Sequence, residues 1–249
     1  MKSIYSNILI FLFLFISLAG LSDWYIESIV SSGANNGMER VWIKDSFYKS
    51  ETERYSVFYN STNDSLRIEN HIIKSYWEGS YSEWKSTTDP EPHKAGTSKK
   101  KKKKGNKTPK NVIQIKPMND SVDIVGLIGQ RYLITVNGKP VEEFFFAKTT
   151  AYNNLNLIRI DSIKNYISPS KFKYRQSEEY YGFIKKGIIL KRMITDEKGL
   201  TEDELEIISV QPEEIDPVVF NVPDGYQPLP LEQITKELSS DTEPAKIDE

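Results

Sequence analysis

Arg131-Tyr132-Leu133-Ile134-Thr135-Val136, then Asn137-Gly138-Lys139-Pro140, then Val141-Glu142-Glu143-Phe144-Phe145-Phe146-Ala147 decides the fold class. Two runs rich in aromatic and β-branched residues flank an Asn-Gly pair. Both turn residues tolerate positive φ, which matches the twist of a two-residue hairpin. The stretch predicts two antiparallel strands. Three consecutive phenylalanines place large rings on both faces of the second one.

Upstream, the same style repeats. Trp24–Val30 reads as a strand, and Val41 and Ile43 alternate with Trp42 and Lys44. A longer ribbon from Phe47 to Tyr59 sets Tyr55, Val57 and Tyr59 on one face. Asn60–Asp64 is turn chemistry, after which Leu66 and Ile68 alternate with charged residues. Ile72–Trp77, Tyr81–Lys85 and Val112–Ile115 read as further short strands. Gly126-Leu127-Ile128-Gly129 is read as a turn between strands.

Downstream, the period changes. Leu155, Ile158, Ile163, Tyr166 and Ile167 predict one helix within 151–167, and 176–185 a second. Gly187–Ile194 returns to a strand. Leu205 and Ile207 alternate with Glu204 and Glu206, which are assigned to a wet face. Asp216-Pro217 starts one helical turn ending near Phe220, and the polar end, 236–249, reads as a flexible acidic tail. The expected fold is mainly β (α+β): a curved antiparallel sheet or unclosed β-barrel, with one or two helices across its concave side.

The first residues carry a different signal. Lys2 precedes the apolar run Ile8–Ile16 and then Ser17-Leu18-Ala19-Gly20. This reads as a signal peptide over 1–19, cut between Ala19 and Gly20. A membrane-spanning helix needs about 20 apolar residues, more than this run supplies. The chain has no Cys, so neither lipidation at the cut nor a disulfide is expected. A mature chain of this length builds its core without staples. The expected location is the periplasm or the exterior. The single domain spans 20–235.

The net charge of −2 hides a division. Residues 94–110 hold Lys94, Lys99, Lys100, Lys101, Lys102, Lys103, Lys104, Lys107 and Lys110 with no acid, while the remaining chain is acidic. Residues 86–111 contain no large apolar side chain and read as a disordered loop. Lys99–Lys104 are candidate contacts to an anionic membrane surface or an acidic protein. No aromatic lies between Trp84 and Asn111, so base stacking is unsupported and nucleic acid is not an expected partner.

Several motifs resemble one family. They are Gly37-Met38-Glu39-Arg40-Val41-Trp42-Ile43-Lys44, then Ile124–Tyr132 before the Asn137-Gly138 hairpin, then Gly187-Ile188-Ile189-Leu190, and finally Asp216–Tyr226. The last is similar to the F-x-x-P-x-x-Y close of lipoprotein-carrier-like (LolA/LolB-like) domains, with Phe220, Pro223 and Tyr226 at its fixed positions. The order of elements resembles the neighbouring domain of unknown function DUF4412. The resemblance covers residues 23–230 and implies an unclosed barrel lidded by helices over an apolar cavity. It also implies a lipid or lipoprotein as partner. No residue role carries over from it, and the basic loop departs from it.

No chemical motif competes with a binding role. His71 and His93 are the only histidines, without metal-ligand spacing. No G-x-S-x-G elbow or phosphate-binding loop occurs. Sequence spacing alone leaves a Ser-His-Asp triad open. No catalytic residue, metal or cofactor is therefore expected. Trp42, Phe58, Phe144, Phe145 and Phe146 are candidate cavity aromatics. The expected function is an exported, non-enzymatic carrier or binding module for an apolar ligand. The alternative is an envelope scaffold or interaction module without one.

Overall fold

A computed structural model of the chain describes residues 23–31, 36–88, 112–168, 170, 172–195 and 199–240. The expected signal peptide with its cut between Ala19 and Gly20, His93, and the lysines Lys94, Lys99–Lys104, Lys107 and Lys110 lie outside these residues.

Among the described residues, twelve strands form one sheet that does not close. They are β1 (Trp24–Val30), β2 (Gly37–Lys44), β3 (Phe47–Glu51), β4 (Tyr55–Asn60), β5 (Ser65–Asn70), β6 (Ser75–Ser80), β7 (Ile113–Ile124), β8 (Leu127–Val136), β9 (Lys139–Lys148), β10 (Gly187–Thr195), β11 (Thr201–Gln211) and β12 (Gln227–Pro228). Their order is β12-β6-β5-β4-β3-β2-β1-β11-β10-β9-β8-β7. Two antiparallel meanders, β1–β6 and β7–β11, are thus fused at the β1–β11 pair. β12 alone pairs parallel, at the β6 edge. The Asn137-Gly138 turn takes the expected positive φ values, 54° and 80°, and Val125-Gly126 builds a matching turn between β7 and β8.

Four helices occur among the described residues, more than the one or two expected: α1 (Tyr81–Thr88), α2 (Leu157–Ile167), α3 (Glu178–Ile184) and α4 (Leu231–Ser240). Short 3₁₀ turns cover Lys173–Gln176 and Pro217–Phe220. Trp84 of α1, Ile160 and Ile163 of α2, and Leu231, Ile234 and Leu238 of α4 share the main core with Ile26, Ile43, Val57, Leu66 and Ile68 of the sheet. No described helix is long and apolar enough to cross a membrane.

Several local expectations are corrected. Tyr81–Lys85 is helical because Ser80 and Glu83 form a capping box: the Ser80 N–H donates to Glu83 Oε2 at 2.6 Å, and the Glu83 N–H to Ser80 Oγ at 3.2 Å. The helix also takes residues 86–88 out of the expected loop. The Phe47–Tyr59 ribbon folds back at 52–54 into β3 and β4. Ile72 and Ile73 sit exposed in the turn before β6 rather than inside a strand. Residues 236–240 finish α4, where Leu238 is 4 % exposed, so the flexible tail cannot begin at 236.

Directly paired residues share a face. Val30, Leu205, Arg192, Phe144 and Tyr132 form one row across five strands. This is the helix-covered face. Tyr25, Trp42, Lys49, Phe58, Arg67 and Glu78 form a row on the opposite face. The segment 212–226 straps over that row before β12.

Candidate functional site

A cavity of about 600 Å³ lies between the helix-covered face and α2, α3 and the turn joining them. Its floor comes from Ile26, Val41, Ile188, Leu205 and Ile207, and its roof includes Leu157, Ile160, Tyr181 and Ile184. That volume is in the range of small-molecule sites, about 300–1,000 Å³.

The roof helix supplies both oil and charge. Asn156 caps α2, its side chain accepting the Arg159 N–H. From there Leu157, Ile160, Asp161, Lys164, Asn165 and Ser168 recur at helical spacing and all line the cavity. Lys164 Nζ donates to Glu39 of β2. Burial disfavours the ammonium, but the neighbouring Glu39 carboxylate outweighs it and holds the Lys164 pKa well above its usual value. Asp161 lies beside the Tyr181 hydroxyl. It forms no ion pair among the described residues. Burial raises its pKa against the lowering pull of Lys164 and Arg192.

A second charged group sits beside the cavity. Glu142, fully buried, accepts from Tyr174 OH at 2.6 Å and from Arg175 Nε at 2.8 Å, and pairs with Arg192 Nε at 3.1 Å. Arg175 Nη1 donates to Glu204 Oε1 at 2.9 Å, and Arg192 Nη1 lies 3.5 Å from Glu204 Oε2. Two arginines therefore face two glutamates. Burial disfavours the Glu204 charge, yet the hydrogen bond from Arg175 and the charge of Arg192 prevail and lower its pKa.

Glu204 corrects its wet-face assignment: it is 5 % exposed. Arg192 pairs with Leu205 and Met193 with Asp203, so Glu204 is the extra residue of a β-bulge. A bulge re-aims a side chain that simple alternation sends outward.

None of the expected aromatics lines the cavity. Trp42 and Phe58 lie on the strap-covered face, in or against a cluster with Ile215 and Phe220. Phe144 and Phe146 pack with Ile134, Tyr174 and Tyr180 in a filled core beside it. Phe145 points the other way by strand alternation, close to Leu190 over Gly129. The rings that do face the cavity are Tyr48, Tyr152, Phe172, Tyr180 and Tyr181.

One arrangement has the outline of a nucleophile and base. His71 Nε2 lies 2.8 Å from Ser56 Oγ, and its Nδ1 lies 2.6 Å from Tyr226 OH. Ser56 is 0 % exposed and the cavity does not reach it. The trio ties the strap to the sheet. Burial lowers the His71 pKa. No cluster of metal-ligating side chains occurs among the described residues.

No protein-family model and no curated protein matches the chain. Among solved structures, an uncharacterized conserved protein from Thermus thermophilus aligns at 7 % identity and TM-score 0.45, over 84 % of this chain and 91 % of that one. Two crystal forms of PNGF-II align at 10 % identity and TM-scores of 0.37 and 0.36. There 88 % of this chain spans about a third of the other, 32 % and 33 %. No activity is transferred from these likenesses.

Proposed function

We propose that the chain is an exported, non-enzymatic carrier that holds an amphipathic molecule, such as an acyl chain with a polar end, in the cavity under α2. The export signal and the carrier-like motifs of the sequence motivate the first part. The cavity carries the second. Its aliphatic floor suits a hydrocarbon chain, because burying apolar surface yields roughly 25 cal/mol per Å². The charged groups near the roof suit a polar end, since buried polar groups need partners. The carrier role implied by the resemblance is thereby narrowed from an apolar ligand to an amphipathic one. Lys99–Lys104, outside the described residues, are proposed to bring the carrier to an anionic membrane surface.

Native mass spectrometry of the exported chain, followed by solvent extraction, tests the reading. A bound amphiphile in about one-to-one ratio is expected, or uptake of an added acyl probe. Ile207→Trp, which fills the floor, should abolish uptake. A wild-type chain that emerges empty and ignores acyl probes overturns the proposal.

A further inference from the structure

We infer that the cavity's ligand carries a positively charged nitrogen, an amine or ammonium, that seats on Asp161. This rests on the carrier reading and names the head group that reading leaves open.

The charged residues around the cavity are not equivalent. Arg175 and Arg192 look like an anion site, but each already faces both Glu142 and Glu204. Lys164 is held by Glu39. A ligand carboxylate or phosphate would have to displace a buried carboxylate from these cations, and breaking such a pair is costly. Asp161 is different. It lines the cavity, has the neutral Tyr181 hydroxyl beside it, and has no cation in ion-pair contact among the described residues. A half-buried carboxylate at a cavity wall without a counter-ion is unfavourable, and a ligand cation supplies one.

Two further observations agree. The cavity wall adds the acids Glu202 and Glu204 to Glu39 and Asp161, with Glu142 behind, against three cations, so its field favours positive charge. Tyr48 and Tyr152 line the same space, and both hydroxyls feel the Asp161 charge. Aromatic faces beside a carboxylate are favourable to ammonium groups. The groups that set Asp161's titration are Lys164 on its own helix, Glu39 on β2, Arg192 on β10 and Tyr181 on α3. Burial makes the empty site hold its proton above the usual aspartate range. A bound cation reverses this, so affinity should fall as the pH drops through that range.

Titration calorimetry of the full chain with decylammonium, decanol and decanoate at pH 7, each kept monomeric, tests the inference. Decylammonium should bind at least about tenfold more tightly than decanol, with decanoate weakest. Asp161→Asn, nearly isosteric, should bring decylammonium to the decanol level. Should that variant not fold, the wild-type series decides alone. Equal or tighter binding of decanol or decanoate overturns the head-group assignment and leaves the carrier reading standing. So does an undiminished ammonium preference in Asp161→Asn. No binding by any of the three probes overturns both.

Discussion

The two faces of the sheet both bury charge, and they treat it differently. On the strap-covered face Lys44, Lys49 and Arg67 find partners within the fold. Lys49 Nζ donates to the Val219 carbonyl at 3.1 Å and lies over Trp42, and Arg67 donates to Glu69 and to the Phe220 carbonyl and lies over Phe58. Lys44 and Asp23 grip Ile215 in the same way. Phe220 closes the gap against Phe47 and Phe58. On the helix-covered face Arg175 and Arg192 are likewise paired with Glu142 and Glu204, but next to them the packing stops and Asp161 is left facing open space. Complete charge networks hold a fold together. An unanswered carboxylate at a cavity is where a ligand has something to contribute.

The largest effect should come from breaking the Glu142 network. Glu142→Gln leaves Arg175 and Arg192 short of a counter-ion and should cost about 3–5 kcal/mol in urea unfolding. A loss below about 1 kcal/mol would mean that these charges are solvated. Phe220→Ala removes the ring that seals the strap and should cost about 3 kcal/mol, while amphiphile binding on the far face is unchanged. If binding fell with it, the two faces would not be independent.

Asp161→Asn should act the other way and raise the melting temperature of the ligand-free chain. The Asp161 pKa is raised on folding, so its contribution is fully present below 3.8 and lost as the pH rises through the folded value. At neutral pH the ionised group opposes folding. A lower melting temperature in Asp161→Asn at pH 7 would contradict the claim that it is unanswered. The smallest effect belongs to His71. Its pKa is depressed from 6.5, so its contribution is present above 6.5 and fades as the pH falls. His71→Gln should flatten the stability profile just below pH 6.5; an unchanged slope would exclude His71 as the acid-sensitive tie of the strap.

Most strands were legible because strand periodicity is local, and the Asn137-Gly138 turn fixed a register. Helix α1 was read as a strand, although Ser80 and Glu83 carry a capping box and Tyr81 and Trp84 stand at helical spacing. Helix α4 was hidden by polar composition, although Leu231, Ile234 and Leu238 keep helical spacing. The candidate site was less legible. Glu204 turns inward only because of a bulge against β10, and bulge position depends on pairing that sequence alone does not supply. The α2 stripe was right at Leu155, Ile163 and Ile167, which are buried, but Ile158 and Tyr166 are exposed, while Asp161 and Lys164 line the cavity. Buried charge on a helix reads as solvated charge until its neighbours are known. The aromatics misled for the converse reason, since Phe144 and Phe146 fill core rather than line space.

The central claim is that the space under α2 takes up the alkyl chain of a ligand. Intermolecular NOEs between a deca-alkyl probe and the methyl-labelled isoleucines test it most directly. The account predicts NOEs to Ile26, Ile160, Ile188 and Ile207 and none to the exposed Ile72 and Ile128. NOEs confined to Ile72 or Ile128, with the cavity isoleucines silent, would contradict it.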